Sequence, residues 1–110
     1  MSLVINVATD EQGVVVSVEG EVDVSNAPEL RAALEQAVEQ AASLPQPQVR
    51  IDLSQVSYID STGIGVLVGA AHRSGELGVT VSLERLQRNV IRVLTMLGLD
   101  TLLNIHTDAE

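Results

Sequence analysis

Between residues 49 and 71 the apolar pattern changes period, and this change constrains the fold more than any other stretch. Val49, Ile51 and Leu53 alternate with Arg50 and Asp52, the two-residue period of a strand with one buried face. Ile64, Leu67, Val68 and Ala71 then recur at helical spacing. The switch falls at Ile59-Asp60-Ser61-Thr62-Gly63, so a helix starts there. Ser61 is the expected N-cap, because its hydroxyl can accept a bond from a first-turn N–H. Asp60 is read as orienting the turn or as a second capping residue. Gly63, Gly65 and Gly69 each cost about 1 kcal/mol relative to Ala inside a helix, roughly 2–3 kcal/mol together. Close approach of another backbone is the expected compensation, so a larger side chain at Gly65 is expected to overpack. The helix start also suits anionic charge.

The flanks supply the remaining elements. Leu3, Ile5 and Val7 alternate with Val4, Asn6 and Ala8, a first strand. Thr9-Asp10-Glu11-Gln12-Gly13 reads as a turn and Val14-Val15-Val16-Ser17-Val18 as a second strand. So short a link makes them an antiparallel hairpin. Gly20-Glu21-Val22-Asp23 ends the second strand and starts an acidic loop. Ser25 or Asn26 can cap the next helix, since Asn26-x-x-Glu29 has capping-box spacing and Pro28 is harmless in a first turn. Leu30, Ala33, Leu34, Ala37, Val38 and Ala41 form its apolar stripe, which ends at Ser43-Leu44-Pro45-Gln46-Pro47-Gln48.

The strand at 49–53 leads through 54–60 into the central helix, which ends near Gly75 or Gly78. Val79, Val81 and Leu83 are a fourth strand. A third helix is predicted over 86–97, closed by a left-handed cap at Gly98 with Leu99 packing behind it. Leu102, Leu103 and Ile105 suggest a short fifth strand, and Thr107-x-x-Glu110 has the spacing of one more helix start. The order predicts an α/β fold, a mixed sheet of about five strands with the helices packed on one face and the hairpin at one edge. A single domain over 1–110 is expected.

Composition narrows the chemistry. Net charge is −9, with 15 acids against six arginines and no lysine. Phosphate backbones need a basic face, so nucleic acid is an unsuitable partner, whereas a basic protein surface suits. Without lysine there is no Gly-x-x-x-x-Gly-Lys phosphate loop, and Gly63-x-Gly65-x-x-x-Gly69 is not the dinucleotide fingerprint. No cysteine is present, and His72 and His106 lack an obvious third ligand, so no metal site or cofactor is expected. Ser61 lacks the Gly-x-Ser-x-Gly setting of a hydrolase nucleophile, so the chain is not read as an enzyme. The first residues lack a basic segment followed by a long apolar run, and no apolar run nears the roughly 20 residues needed to span a bilayer. A cytoplasmic protein is expected. Arg85, Arg88 and Arg92 read as one solvated basic side of the third helix.

The segment Asp52-Leu53-x-x-Val56-x-Tyr58-Ile59-Asp60-Ser61-Thr62-Gly63-Ile64-Gly65-Val66 resembles the signature of STAS domains, and more narrowly the bacterial anti-sigma factor antagonists. Gly20-Glu21-Val22-Asp23 followed by Ala27-Pro28-Glu29-Leu30 resembles the family's entry into its first helix. The resemblance spans nearly the whole chain. It implies that the serine after the motif aspartate, here Ser61, is phosphorylated by the partner anti-sigma factor, a serine kinase. It also implies a phosphatase that reverses this. The implied partner-binding surface comprises Asp23, Asp60, Ser61, Thr62, Gly63 and Ile64. Thr62 is the competing hydroxyl. Many STAS domains carry a C-terminal helix after the last strand, and here it is expected to be short or trimmed. The second reading is a STAS module of another assembly, such as a stress-signalling complex or a soluble transporter subunit.

Overall fold

The computed structural model describes residues 3–106. The β-branched run after Gly13 builds β2 (Gly13–Val22), which forms an antiparallel hairpin with β1 (Val4–Asp10). The chain then passes through α1 (Ala27–Ala42), β3 (Gln48–Ile59), α2 (Ser61–Glu76), β4 (Thr80–Glu84), α3 (Arg88–Met96) and β5 (Ile105–His106). Strand order is β1-β2-β3-β4-β5, parallel from β2 onward, and β5 has only two residues. Leu103, from the stretch read as the start of that strand, sits buried in the turn before it. The spacing at 107–110 lies outside the described residues.

Register sets one apolar face. Val14 and Val16 stand beside Val49 and Ile51, which stand beside Val81 and Leu83. These join Leu30, Leu34, Ala37 and Val38 of α1, Ile64, Val66 and Leu67 of α2, and Val90 and Leu94 of α3 in one core. The helices therefore share that face. With one aromatic residue in the chain, this core is aliphatic throughout. On the other face Arg50 reaches Asp10 at 3.2 Å and Arg85 reaches Asp52 at 3.3 Å. Arg85 thus lies before α3 rather than on it, in a left-handed backbone conformation, and only Arg88 and Arg92 fall within the helix.

The predicted end of α3 is observed. Gly98 takes a left-handed φ of 73°, its N–H bonds Thr95 O at 3.0 Å, and Leu99 N–H bonds Leu94 O at 2.9 Å. This paired closure satisfies the last carbonyls of the helix.

One boundary differs in a way that matters for the site. The 54–60 connection is mostly strand, because β3 continues to Ile59. Register shifts between Ser17 and Glu19 and between Gly20 and Glu21 let β2 follow it, so Val22 pairs with Ile59. Such irregularities bend and re-aim a strand end. Beyond Asp52, β3 has no β4 neighbour. Gln87 Nε2 and Asn89 Nδ2 donate instead to the carbonyls of Ser54 (3.0 Å) and Ser57 (2.8 Å). Two side chains thereby satisfy carbonyls that a longer β4 would have met.

Candidate functional site

The ends of β2 and β3 lie side by side and deliver the two sequence blocks to one place. Asp60 N–H donates to Val22 O at 3.1 Å, which ties the start of α2 to the start of the β2–α1 loop. That bond holds Asp60 in the extended conformation of the strand it follows, at φ −96° and ψ −176°. Its carboxylate accepts from Gly63 N–H at 3.0 Å, while its carbonyl accepts from Ile64 N–H at 2.9 Å. Asp60 is therefore the N-cap, and Ser61 is the first helical residue rather than the cap. Relieved of that duty, the exposed Ser61 side chain faces outward beside exposed Thr62.

The cap has a measurable consequence. Asp60→Ala is expected to lower stability by about 1 kcal/mol, whereas Asp60→Asn, an equally good cap, should retain most of it. Urea denaturation of both variants checks this, and an unshifted midpoint for the alanine variant would count against the cap.

The loop facing this helix start is organised by Asp23 and Asn26. Ser25 donates to Asp23 Oδ1 from its hydroxyl at 2.5 Å and from its N–H at 2.9 Å. These bonds, the hydroxyl's first, hold the Asp23 carboxyl below the usual carboxylate range. With the folded value depressed, the stabilisation is present above the ordinary carboxylate pKa and lost as pH falls through the folded one. This contribution is therefore fully present at neutral pH. Asn26, read as a capping-box residue, instead turns back and makes no cap bond to α1. Its Oδ1 accepts from Asp23 N–H at 2.9 Å and its Nδ2 donates to Glu21 O at 2.8 Å, with the residue buried.

The predicted surface thus divides by depth. Asp23 and Asp60 are half-buried, Ser61 and Thr62 are exposed, and Gly63 and Ile64 lie buried beneath them. Two exposed apolar residues on the converging segments escaped the sequence reading: Val24 in the loop (70% exposed) and Tyr58 near the end of β3 (51%). Tyr58 stands in the family signature and is the chain's single aromatic residue, but neither fact marks it as part of the contact surface. His72 lies about three turns along α2 from Ser61, close to Glu76. Among the described residues no three His, Cys, Asp or Glu side chains group as metal ligands, and no helix is long and apolar enough to cross a membrane.

The sequence predicts close approach at both Gly63 and Gly65, and only Gly63 shows it. A Cβ at Gly63 would lie 2.6 Å from Val22 Cγ1 and 2.7 Å from Ile59 Cγ1. At Gly65 and Gly69 it would meet no atom within 4 Å. Close packing therefore explains Gly63, and the overpacking expected at Gly65 is corrected: both Gly65 and Gly69 border an open groove of about 420 Å³ between α1 and α2.

A family model described as "Mlab, STAS domain" matches residues 5–104. The chain belongs to the STAS domain family. This STAS domain is 37% identical over 110 residues to the anti-sigma-B factor antagonist of Bacillus subtilis, a match covering 100% of this chain and 96% of that protein. Its structure resembles that of an anti-sigma factor antagonist from Mycobacterium paratuberculosis, with a TM-score of 0.79 at 27% identity over 94% of this chain and 85% of the other. It also shares the fold of the Bacillus cell fate determinant SpoIIAA in its phosphorylated form, with a TM-score of 0.71 at 18% identity over 97% and 93% of the two chains.

Proposed function

We propose that this STAS domain is an anti-sigma factor antagonist: unphosphorylated, it binds an anti-sigma factor and so frees a sigma factor. The anti-sigma factor is a serine kinase, and phosphorylation of Ser61 ends the interaction. A phosphatase restores it. The exchange takes place in the cytoplasm, where sigma factors act. The observation that carries this reading is the exposed Ser61 hydroxyl, first in α2 and beside the Asp23 loop, in a chain 37% identical over its whole length to a named antagonist.

The division of labour follows from depth. Ser61 offers the oxygen that takes the γ-phosphoryl group of the kinase's ATP as the bond to the β-phosphate breaks and ADP leaves, and the serine proton passes to a base on the kinase. Asp60 and Gly63 fix the turn that presents it. Asp23, Thr62, Val24 and Tyr58 form the contact surface, and buried Gly63 and Ile64 support it from below. Exposed aromatic residues contribute strongly when an interface covers them, so Tyr58 is an anchor of the docked complex. Full-length similarity to a named antagonist favours this reading over a transporter subunit.

The test is incubation of the full chain with its cognate anti-sigma kinase and ATP, followed by mass spectrometric mapping. One phosphate on Ser61, absent in Ser61→Ala, is expected. Phosphate on Thr62 alone, or none with an otherwise active kinase, would overturn the assignment.

A further inference from the structure

We propose that β1 is a docking edge for a second copy of this chain, pairing antiparallel with its own twin so that two sheets become one. β1 ends the sheet, and among the described residues no strand meets its outer edge. Exposed edges are ordinarily guarded by Lys, Pro, a bulge or brevity. β1 has none of these. It is seven residues long, it keeps unbroken register with β2, and Asp10 is its one charged residue.

The strand is also complementary to itself. Pairing centred on Val7 sets Val7 against Val7, Asn6 against Ala8, Ile5 against Thr9 and Val4 against Asp10. The two Asp10 carboxylates then stand at opposite ends, about 20 Å apart at ~3.4 Å per residue. That exceeds the screening length of about 8 Å in physiological salt. Each Asp10 keeps its Arg50 partner at 3.2 Å.

A separate observation on α1 points the same way. Gln40 Nε2 donates to Thr9 Oγ1 at 2.5 Å, so this side of α1 overhangs β1. Gln36 and Ala32 continue the same side at four-residue steps, both exposed and uncharged. The opposite side of the helix carries Arg31, Glu35 and Glu39, which line the groove toward α2. In a chain of net charge −9, β1 carries one charge, at its end, and the α1 flank from Gln40 to Ala32 carries none, the next charge on that side being Glu29 in the first turn. Interface centres are depleted of charge in the same way. A two-fold axis through Val7, perpendicular to the sheet, brings both α1 flanks together on one face. The α1 flank thus widens a contact that would be narrow as a strand edge alone. Contacts at the small end of the interface range are weak and reversible. The Ser61 sites, at the ends of β2 and β3, stay open in such a dimer.

Sedimentation equilibrium of the full chain, from micromolar to millimolar concentration, tests this. The mass is expected to rise from 11.7 kDa toward twice that value. Added salt should tighten the dimer by screening repulsion between two chains of charge −9. Asn6→Lys/Ala8→Lys sets like charges directly opposite one another across the pair and is expected to weaken association at least tenfold. Thr95→Lys/Met96→Lys adds the same charge on α3, away from the edge, and should not weaken it. In wild type, β1 amide exchange should slow as concentration rises, a readout that needs no variant. A mass of 11.7 kDa throughout, or a dimer indifferent to the β1 lysines, would overturn the proposal. So would β1 protection that appears only when an anti-sigma partner is added.

Discussion

Ser61→Glu is expected to weaken binding to the cognate anti-sigma kinase roughly a hundredfold, about 3 kcal/mol, and to leave the fold intact. In the free protein the new carboxylate would stand in water, since Ser61 is exposed. The helix start favours an anion there by about 0.3–1 kcal/mol. The neighbouring Asp60 carboxylate opposes it, but water and salt screen the pair. These terms are small and of opposite sign, so thermal stability should scarcely move. A docked partner changes the balance, because the charge must then lose water or face like charge, which costs several kcal/mol. Phosphoserine carries about −1.5 to −2 charges at pH 7 and should act more strongly than glutamate. Ser61→Ala should bind normally and resist phosphorylation, giving persistent antagonism. Titration calorimetry of both variants against the kinase decides the matter, and equal affinities would end this account of the switch.

Gly63→Ala and Gly65→Ala are expected to shift stability in opposite directions. The Val22 and Ile59 atoms that a Cβ at Gly63 would strike belong to buried side chains that pair across β2 and β3. Both are buried, so either can give way only by disturbing the core around it. Overpacking costs about 1–3 kcal/mol, and the gain in helix propensity returns only about 1 kcal/mol, so a net loss is expected at Gly63. At Gly65 the added methyl meets open space, and only the propensity gain of about 1 kcal/mol remains. Equilibrium denaturation of the pair measures the contrast. Shifts of the same sign would show that the Val22–Ile59 contact does not decide the role of Gly63.

What could be read from the sequence was what depends on neighbours along the chain. The α1 stripe at Leu30, Leu34, Ala37, Val38 and Ala41 is buried as its spacing predicts, because helical geometry alone puts those positions on one face. The hairpin, the order of elements and the left-handed cap at Gly98 follow from equally local rules. The misreadings have a common physical origin. Ser61 and Asp60 are both good caps by composition, and the choice between them rests on Asp60 N–H bonding Val22 O, 38 residues away in the chain. Asn26 has the spacing of a capping box, yet its amide is taken by Glu21 and Asp23. The extension of β3 depends on pairing with β2 as far as Val22 and Ile59, with Gln87 and Asn89, which follow β4 in the chain, bonding its free carbonyls.

The candidate site shows the same division. The sequence by itself determined that a strand gives way to a helix at Asp60-Ser61, that an acidic loop follows the second strand, and that the core is aliphatic. Only the tertiary structure decided that these segments meet, that Ser61 faces outward while Ile64 faces inward, and that Gly63 rather than Gly65 sits against another strand. The reason is that periodicity encodes which face of an element is buried. The contacts of a particular residue depend on register between strands distant in sequence, and here two register shifts in β2 set it.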